Sequence, residues 1–414
     1  MDKMADVLGR AGAWCGQNKY LSAIKNAFQN FMPLTIAGAI GVLWCNVLVN
    51  DQTGLGLFFK PIMALDFLNP AFQAVNFCTI SCITVGITLG IAQEIGVWNM
   101  GAERAGYIPG LVGLAAWLSV TNTSHMVEGA KEAFTGIAGN ELGATGLFTG
   151  MIIGVLSVEL FCFFEKQDAL KIKMPEQVPP GVARAFEVLV PATITLIITA
   201  CIGSACYNLT GLYLNDVIKN GIQGPLGAVG ATIPGVMIIY LVIMLFWLVG
   251  IHGNNMLSAV KEALFTPLAL ENVEKFNKGE KPTNIINMYA LQMWGEFGGS
   301  GVTIGLVIAI MIFGKREDNK AIATLSLVPG LFNINETVTF GIPMVLNPIL
   351  GIPFVFACLT VPWTTPPIVF GFLATGANVM GAVTQAILIV VSTVIYVPFL
   401  IAYEKYQNKQ AAEA

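Results

Sequence analysis

Four short segments of this chain carry side chains that could do chemistry, and each lies against residues that belong in an apolar medium. The first is Asn333-Ile334-Asn335-Glu336-Thr337-Val338-Thr339-Phe340-Gly341-Ile342-Pro343, inside a long apolar run, with Pro329-Gly330 before it and Asn347-Pro348 after it. A carboxylate there must meet a partner, a ligand or water. The flanking Gly and Pro imply non-helical backbone, which at membrane depth is tolerated only beside protein or a watery cavity. That is the pattern of a broken-helix binding site in a transporter. A structural Glu paired to another helix is the competing reading. The second segment runs Trp247-Leu248-Val249-Gly250-Ile251-His252-Gly253-Asn254-Asn255, where a strongly apolar stretch ends in His, Asn and Gly. Glycines beside His252 let backbone approach a ligand closely. Its imidazole can donate and accept, which suits a ligand rich in hydroxyls. A helix end at the membrane surface would look similar.

The third segment, Trp294-Gly295-Glu296-Phe297-Gly298-Gly299-Ser300-Gly301, invites a phosphate-cradle reading. It lacks the GxxxxGK[ST] pattern, so a closely packed hairpin tip fits better than a nucleotide site. The fourth, Val361-Pro362-Trp363-Thr364-Thr365-Pro366-Pro367, cannot sit in a helix interior. Trp363 could stack on a sugar ring or mark the membrane interface. Elsewhere Glu94, Glu103 with Arg104, and Glu159 read as ion-paired or helix-end groups, and His125 as a solvated loop residue.

The elements that position these segments must be membrane helices. Residues of the AVILMFWYC set make up 55% of 414, charged residues 11%, and the mean hydropathy is +0.71. Soluble domains carry about 25% charged residues, so this chain cannot cover a water-facing surface in the usual way. The apolar surplus runs along its whole length, so lipid must serve as solvent. Candidate crossings are Phe31–Val49, Phe77–Ile95, Ile108–Val120, Gly146–Phe164, Phe186–Tyr207, Pro234–Ile251, Gly301–Phe313, Leu325–Leu350 and Val383–Ala402. Several are shorter than the ~20 residues a clean crossing needs, or are broken by Pro and Gly. The fold class is therefore an all-α polytopic membrane protein, with roughly nine to ten crossings, re-entrant hairpins and amphipathic surface helices. Met1 to Phe31, with its spread Lys and Arg, reads as one such surface helix, not a signal peptide.

Orientation follows from the basic residues. The Glu165–Arg184 stretch, the cluster Lys315, Arg316 and Lys320, and the tail with Lys405 and Lys409 should be cytoplasmic, as should the N-terminus; Thr121–Thr145 is the candidate external loop. Eight cysteines without a CxxC pair read as small buried hydrophobes, and two histidines exclude a His-rich metal centre. No metal, cofactor or nucleic-acid partner is expected; the lipid bilayer is.

Taken together, these residues resemble the membrane-embedded IIC component of the bacterial phosphoenolpyruvate:sugar phosphotransferase system, in its lactose/cellobiose/diacetylchitobiose branch. The resemblance rests on Lys171-Ile172-Lys173-Met174-Pro175 with Val178-Pro179-Pro180, then Gly250-Ile251-His252-Gly253 and Gly298-Gly299-Ser300-Gly301. It continues through Phe332-Asn333-Ile334-Asn335-Glu336, Asn347-Pro348 and Pro362-Trp363-Thr364-Thr365-Pro366-Pro367, in the family's order. It implies a homodimeric permease of the bacterial inner membrane. Residues 1–209 would form an N-terminal half with the subunit interface, and residues 210–414 a half that holds a disaccharide. The sugar would be phosphorylated on its 6-hydroxyl by a separate phospho-IIB protein, itself charged by IIA, so this chain alone would not be an enzyme. His252 and Glu336 match the family's essential His and Glu. Trp247 and Trp363 would supply indole contacts, and Asn254, Asn255 and Asn335 amide contacts. Two departures stand out: Thr337 replaces a usual Pro, and only nine residues separate Pro353 from Trp363, where the family has about twenty more. The alternative function is a proton-coupled sugar symporter in which Glu336 carries the proton.

Overall fold

The computed structural model describes residues 14, 17–51, 55–57, 59–125, 134–175, 177–225, 230–248, 251–295, 300–331, 335–342, 344, 347–356, 368, 371–372 and 379–413. Within them the side chains of Asn255 and Glu336 fall outside the description. The chain divides into two compact units. One is Asn18–Ala228 with Glu262–Thr283; the other is built mainly from Val229–Lys261 and Asn284–Ala414.

The first unit holds α1 (Lys19–Leu43), α2 (Asn69–Cys78), α3 (Ile83–Met100), α4 (Ile108–Val120), α5 (Ala144–Glu165) and α6 (Pro180–Thr210). At the start of α1, Asn18 Oδ1 accepts from the amides of Tyr20 and Leu21, both at 3.1 Å, which satisfies two of the orphan donors of a helix start. The helix then runs through Phe31 without a break. The segment expected as a surface helix up to that residue is, from Lys19 on, continuous with the first candidate crossing. In α3, Ile83, Ile87, Ile91 and Ile95 recur every fourth residue and are fully buried among α1, α4 and α5. Small residues let these helices approach: a Cβ on Gly113 would strike that of Ala92, and one on Gly150 would strike Thr88. The outward residues are apolar too, among them Leu189, Ile197 and Ile202 of α6, which is how a lipid-facing surface is built.

Charges gather at helix ends, as the sequence indicated. Lys19 pairs with Glu159 at 2.5 Å. The buried Glu165 takes Arg104 at 2.8 Å and Arg184 at 3.0 Å, and both arginines also reach Glu187. Glu94 accepts from Asn26 at 2.9 Å.

The second unit holds α7 (Ile233–Leu248), the start of α8 (Gly253–Asn277), α9 (Met288–Gly295), α10 (Thr303–Phe313), α11 (Glu317–Leu331), α12 (Glu336–Gly341), α13 (Pro348–Phe356) and α14 (Val379–Glu413). The division between the units falls inside α8, after Lys261. Asparagines again start helices. Asn287 accepts from the amides of Tyr289 and Ala290, and Asn347 from those of Ile349 and Leu350. Asn347-Pro348 is thus an N-cap followed by Pro at the first helical position, which explains the pair in physical terms. The α10 helix is buried on nearly every side, against α11, α12 and α14.

Among the described residues, five helices are long and apolar enough to cross a membrane: Lys19–Asn46, Lys60–Met100, Thr145–Glu165, Pro180–Thr210 and Val379–Lys409. Shorter apolar helices cover Ile108–Val120, Ile233–Leu248 and Thr303–Phe313. The candidate Leu325–Leu350 is no single crossing but three short helices, as its Gly and Pro residues require. Among the described residues one two-residue antiparallel pair, β1 (Ser124–His125) with β2 (Phe134–Thr135), accompanies the helices and leaves the all-α class standing. Two expectations need correction. His125 is half-buried, not fully solvated, because strand pairing sets it beside the Phe134 ring. Of the six described cysteines all are free thiols, but only Cys162 is buried; Cys78 and Cys201 are exposed on helix faces where lipid accommodates an apolar thiol.

Candidate functional site

The end of α7 and the start of α8 bring the first group of side chains together. A Cβ on Gly253 would run into the carbonyl of Ile243, so glycine is needed for α8 to start this close to α7. The close approach that glycine permits here is therefore to the backbone of α7. Trp247, 1% exposed, lies with its ring 4.4 Å from the half-buried His252 ring, tilted by 46°. The Trp247 indole Nε1 is buried and has no hydrogen-bond partner among the described residues.

Two residues after His252, the buried Asn254 donates through Nδ2 to Ser300 Oγ at 2.8 Å and accepts through Oδ1 from Lys261 Nζ at 3.2 Å. Lys261 lies seven residues further along α8, hence on the same face, and is 2% exposed. From the other side, buried Asn335 donates through Nδ2 to the Ser300 carbonyl at 3.1 Å and to Thr339 Oγ1 at 3.3 Å. Ser300 is thus the point on which both amides converge. It precedes a turn in which Gly301 and Val302 take φ of 76° and 51°. A Cβ on Gly301 would strike the ring of Phe354.

Of the residues singled out in the sequence, Trp247, His252, Asn254 and Asn335 come together within the second unit. Asn255 lies in the first turn of α8 and Glu336 is the first residue of α12, but their side chains fall outside the description. Trp363 lies outside the described residues altogether. Ser300 and Lys261 are the members that sequence reasoning missed. Ser300 was visible only as part of a Gly-rich tip. Lys261 stood beside Glu262 in a stretch too charged to register as a crossing. Among the described residues no cluster of His, Cys, Asp or Glu could hold a metal ion. The grooves on the first unit, one of ≈530 Å³ edged by Lys219, Gln223, Glu271 and Lys275, lie elsewhere; Lys275 there pairs with Glu271 at 2.9 Å.

Paired amides, an imidazole and a buried indole are thus gathered at the ends of short helices in an apolar, membrane-type fold. The chain belongs to the phosphotransferase system EIIC family, whose sequence profile matches residues 25–358. It is 32% identical to the oligo-beta-mannoside-specific EIIC component of Bacillus subtilis (strain 168), over 98% of this chain and 94% of that protein. It is 29% identical to the cellobiose-specific EIIC component of Lactococcus lactis subsp. lactis (strain IL1403), over 98% of each. The crystal structure of the transporter ChbC, the IIC component from the N,N'-diacetylchitobiose-specific phosphotransferase system, superimposes with a TM-score of 0.87 at 28% identity, covering 97% of both chains. This chain is accordingly the multi-pass sugar permease of a phosphotransferase system that works with IIB and IIA, and the phosphoryl transfer belongs to IIB. The proton-coupled symporter alternative finds no support in these relatives.

Proposed function

We propose that the chain carries a disaccharide into the cell and presents its 6-hydroxyl to phospho-IIB at the cytoplasmic face. The observation that carries this reading is the convergence of Asn254 and Asn335 on Ser300, beside a Trp247–His252 pair whose indole N–H is buried without a partner. A buried donor of this kind is stabilised when an acceptor such as a sugar hydroxyl arrives. The relatives described above for β-mannosides, cellobiose and diacetylchitobiose support a disaccharide substrate.

In this reading Trp247 and Trp363 offer flat apolar faces, and Asn254, Asn255 and Asn335 bind hydroxyls. Glu336 fixes the sugar through further hydroxyl contacts. His252 lies near the 6-hydroxyl and assists removal of its proton, while phosphoryl transfer depends on positioning. Roughly nine to ten crossings and re-entrant segments complete the membrane fold. The N-terminus is cytoplasmic, residues 1–209 form the interface of a homodimer, and residues 210–414 hold the sugar.

The test is uptake of labelled cellobiose, lactose and diacetylchitobiose in cells with and without a cognate IIB, with the chemical form inside identified. Phosphorylated sugar is expected only with IIB, and Glu336→Gln should abolish it. Unmodified sugar accumulating without IIB would overturn the reading, and a His252→Ala variant unaltered in binding and phosphorylation would remove His252 from its role.

A further inference from the structure

The last helix carries a buried polar stripe directed at backbone groups, two of them next to Ser300 of the candidate site. Gln385, Ser392 and Tyr396 are spaced by seven and four residues, which places them within roughly 40° of one another around α14. They are 0%, 3% and 0% exposed. In an apolar helix such groups are tolerated only when satisfied. The ordinary solution is a hydroxyl bonding back to a carbonyl one turn earlier, and α14 uses it at Thr384, to Met380 O, and at Thr393, to Ile389 O. The stripe does otherwise. Ser392 Oγ donates to the Val302 carbonyl at 3.0 Å, and Tyr396 Oη to the Gly301 carbonyl at 2.7 Å. Gln385 Oε1 accepts from the amides of Ile368 and Gly371 at 2.7 and 2.8 Å.

Three of these four backbone positions are left-handed, Gly301 at φ 76°, Val302 at 51° and Ile368 at 75°. β-Branched residues are the least suited to that region and keep it only where the surroundings over-determine it. The helix is also close enough to enforce it: a Cβ on Gly305 would strike Ser392, and one on Gly371 would lie 2.5 Å from the Gly381 carbonyl. Ser300, next to the first turn, fixes Asn254 and Asn335.

We propose that Ser392 and Tyr396, with Gln385 on the same stripe, are positioning residues for the sugar site, clamping the Gly301–Val302 turn so that the Asn254 and Asn335 amides that meet at Ser300 are aimed at the sugar. The proposal rests on the sugar-site reading above. Its test is calorimetric binding of cellobiose, lactose and diacetylchitobiose to the full-length purified protein, with thermal stability measured alongside. Tyr396→Phe removes one oxygen and keeps the ring. It should weaken binding of the preferred sugar by about tenfold while the melting temperature stays within about 3 °C. In an Asn335→Ala background the same change should cost about threefold, because one of the two amides being aimed is gone. Ser392→Ala should act in the same direction and stands in if Tyr396→Phe does not accumulate. Unchanged affinity in both variants, a loss additive with Asn335→Ala, or a drop in melting temperature alone would overturn the proposal. If Asn254→Ala and Asn335→Ala themselves bind sugar like the parent, the sugar-site reading fails first and the proposal with it. Failure of Tyr396→Phe alone leaves the site standing.

Discussion

Lys261 fixes the sense of an amide. An asparagine side chain can present its oxygen or its nitrogen to a neighbour, and only its partners decide which. With the Lys261 ammonium on Oδ1, Asn254 must turn Nδ2 to Ser300 Oγ, so the hydroxyl is bound as an acceptor. The same turn constrains Gly301 twice, by its φ of 76° and by the Phe354 ring where a Cβ would go. Gly301→Ala should therefore destabilise by about 2–4 kcal/mol, combining left-handed strain with overpacking. Gly211 offers the control: its φ is 71° but nothing lies within 4 Å of its Cβ position, so Gly211→Ala should cost only about 1 kcal/mol. Thermal unfolding in detergent of both variants checks the difference, and equal losses would mean that the Phe354 contact is unimportant.

Elements are held at their ends by single carboxylates and amides. Glu404 of α14, 6% exposed, accepts from the backbone amides of Lys315 and Arg316 and from Asn319 Nδ2, tying the turn between α10 and α11 to the last helix. Glu404→Gln should weaken these charge-assisted bonds by about 1–3 kcal/mol and open the turn to trypsin at Lys315 and Arg316. Limited proteolysis of membranes from one side checks it and reports which side the turn occupies. The exposed Arg316–Asp318 pair at 2.7 Å should matter far less. Arg316 holds the Asp318 carboxyl below its ordinary 3.8, so its small stabilisation is present at neutral pH and fades as pH falls through that lowered value. Elements differed in how legible they were. Ile108–Val120 is bounded in the sequence as in the structure, because Pro109 marks its first turn and polar residues follow its end. By contrast α8 was missed, since Lys261 and Glu262 interrupt its hydropathy while their burial or pairing is a tertiary matter.

At the scale of the molecule, composition decided the solvent and motif order decided the family. The geometry of the site needed coordinates. No sequence rule places a valine at φ 51°, because local preference opposes it and tertiary contacts, Ser392 of α14 among them, meet it there. Likewise the Gly-rich tip before α10 looked like packing, and its Ser300 serves both packing and the site. The proposed homodimer predicts a light-scattering protein mass of twice 44.2 kDa in mild detergent. A Leu or Phe at Gly113 or Gly150 should instead prevent folding, since neither helix pair has room; a monomeric but active parent would remove the dimer from the account.

The length of α14 has a consequence of its own. Its 35 residues, at 1.5 Å each, make a rod of about 52 Å, against a hydrocarbon layer of about 30 Å. Beyond Glu404, which grips the 315–319 turn, the helix continues through Lys405, Gln407, Asn408 and Lys409, residues suited to water and not to lipid, so the excess length is expected at that end. A fluorophore attached beyond Glu404 would be held at a stiff offset from the lipid headgroups, a built-in ruler for energy-transfer measurements across the membrane surface.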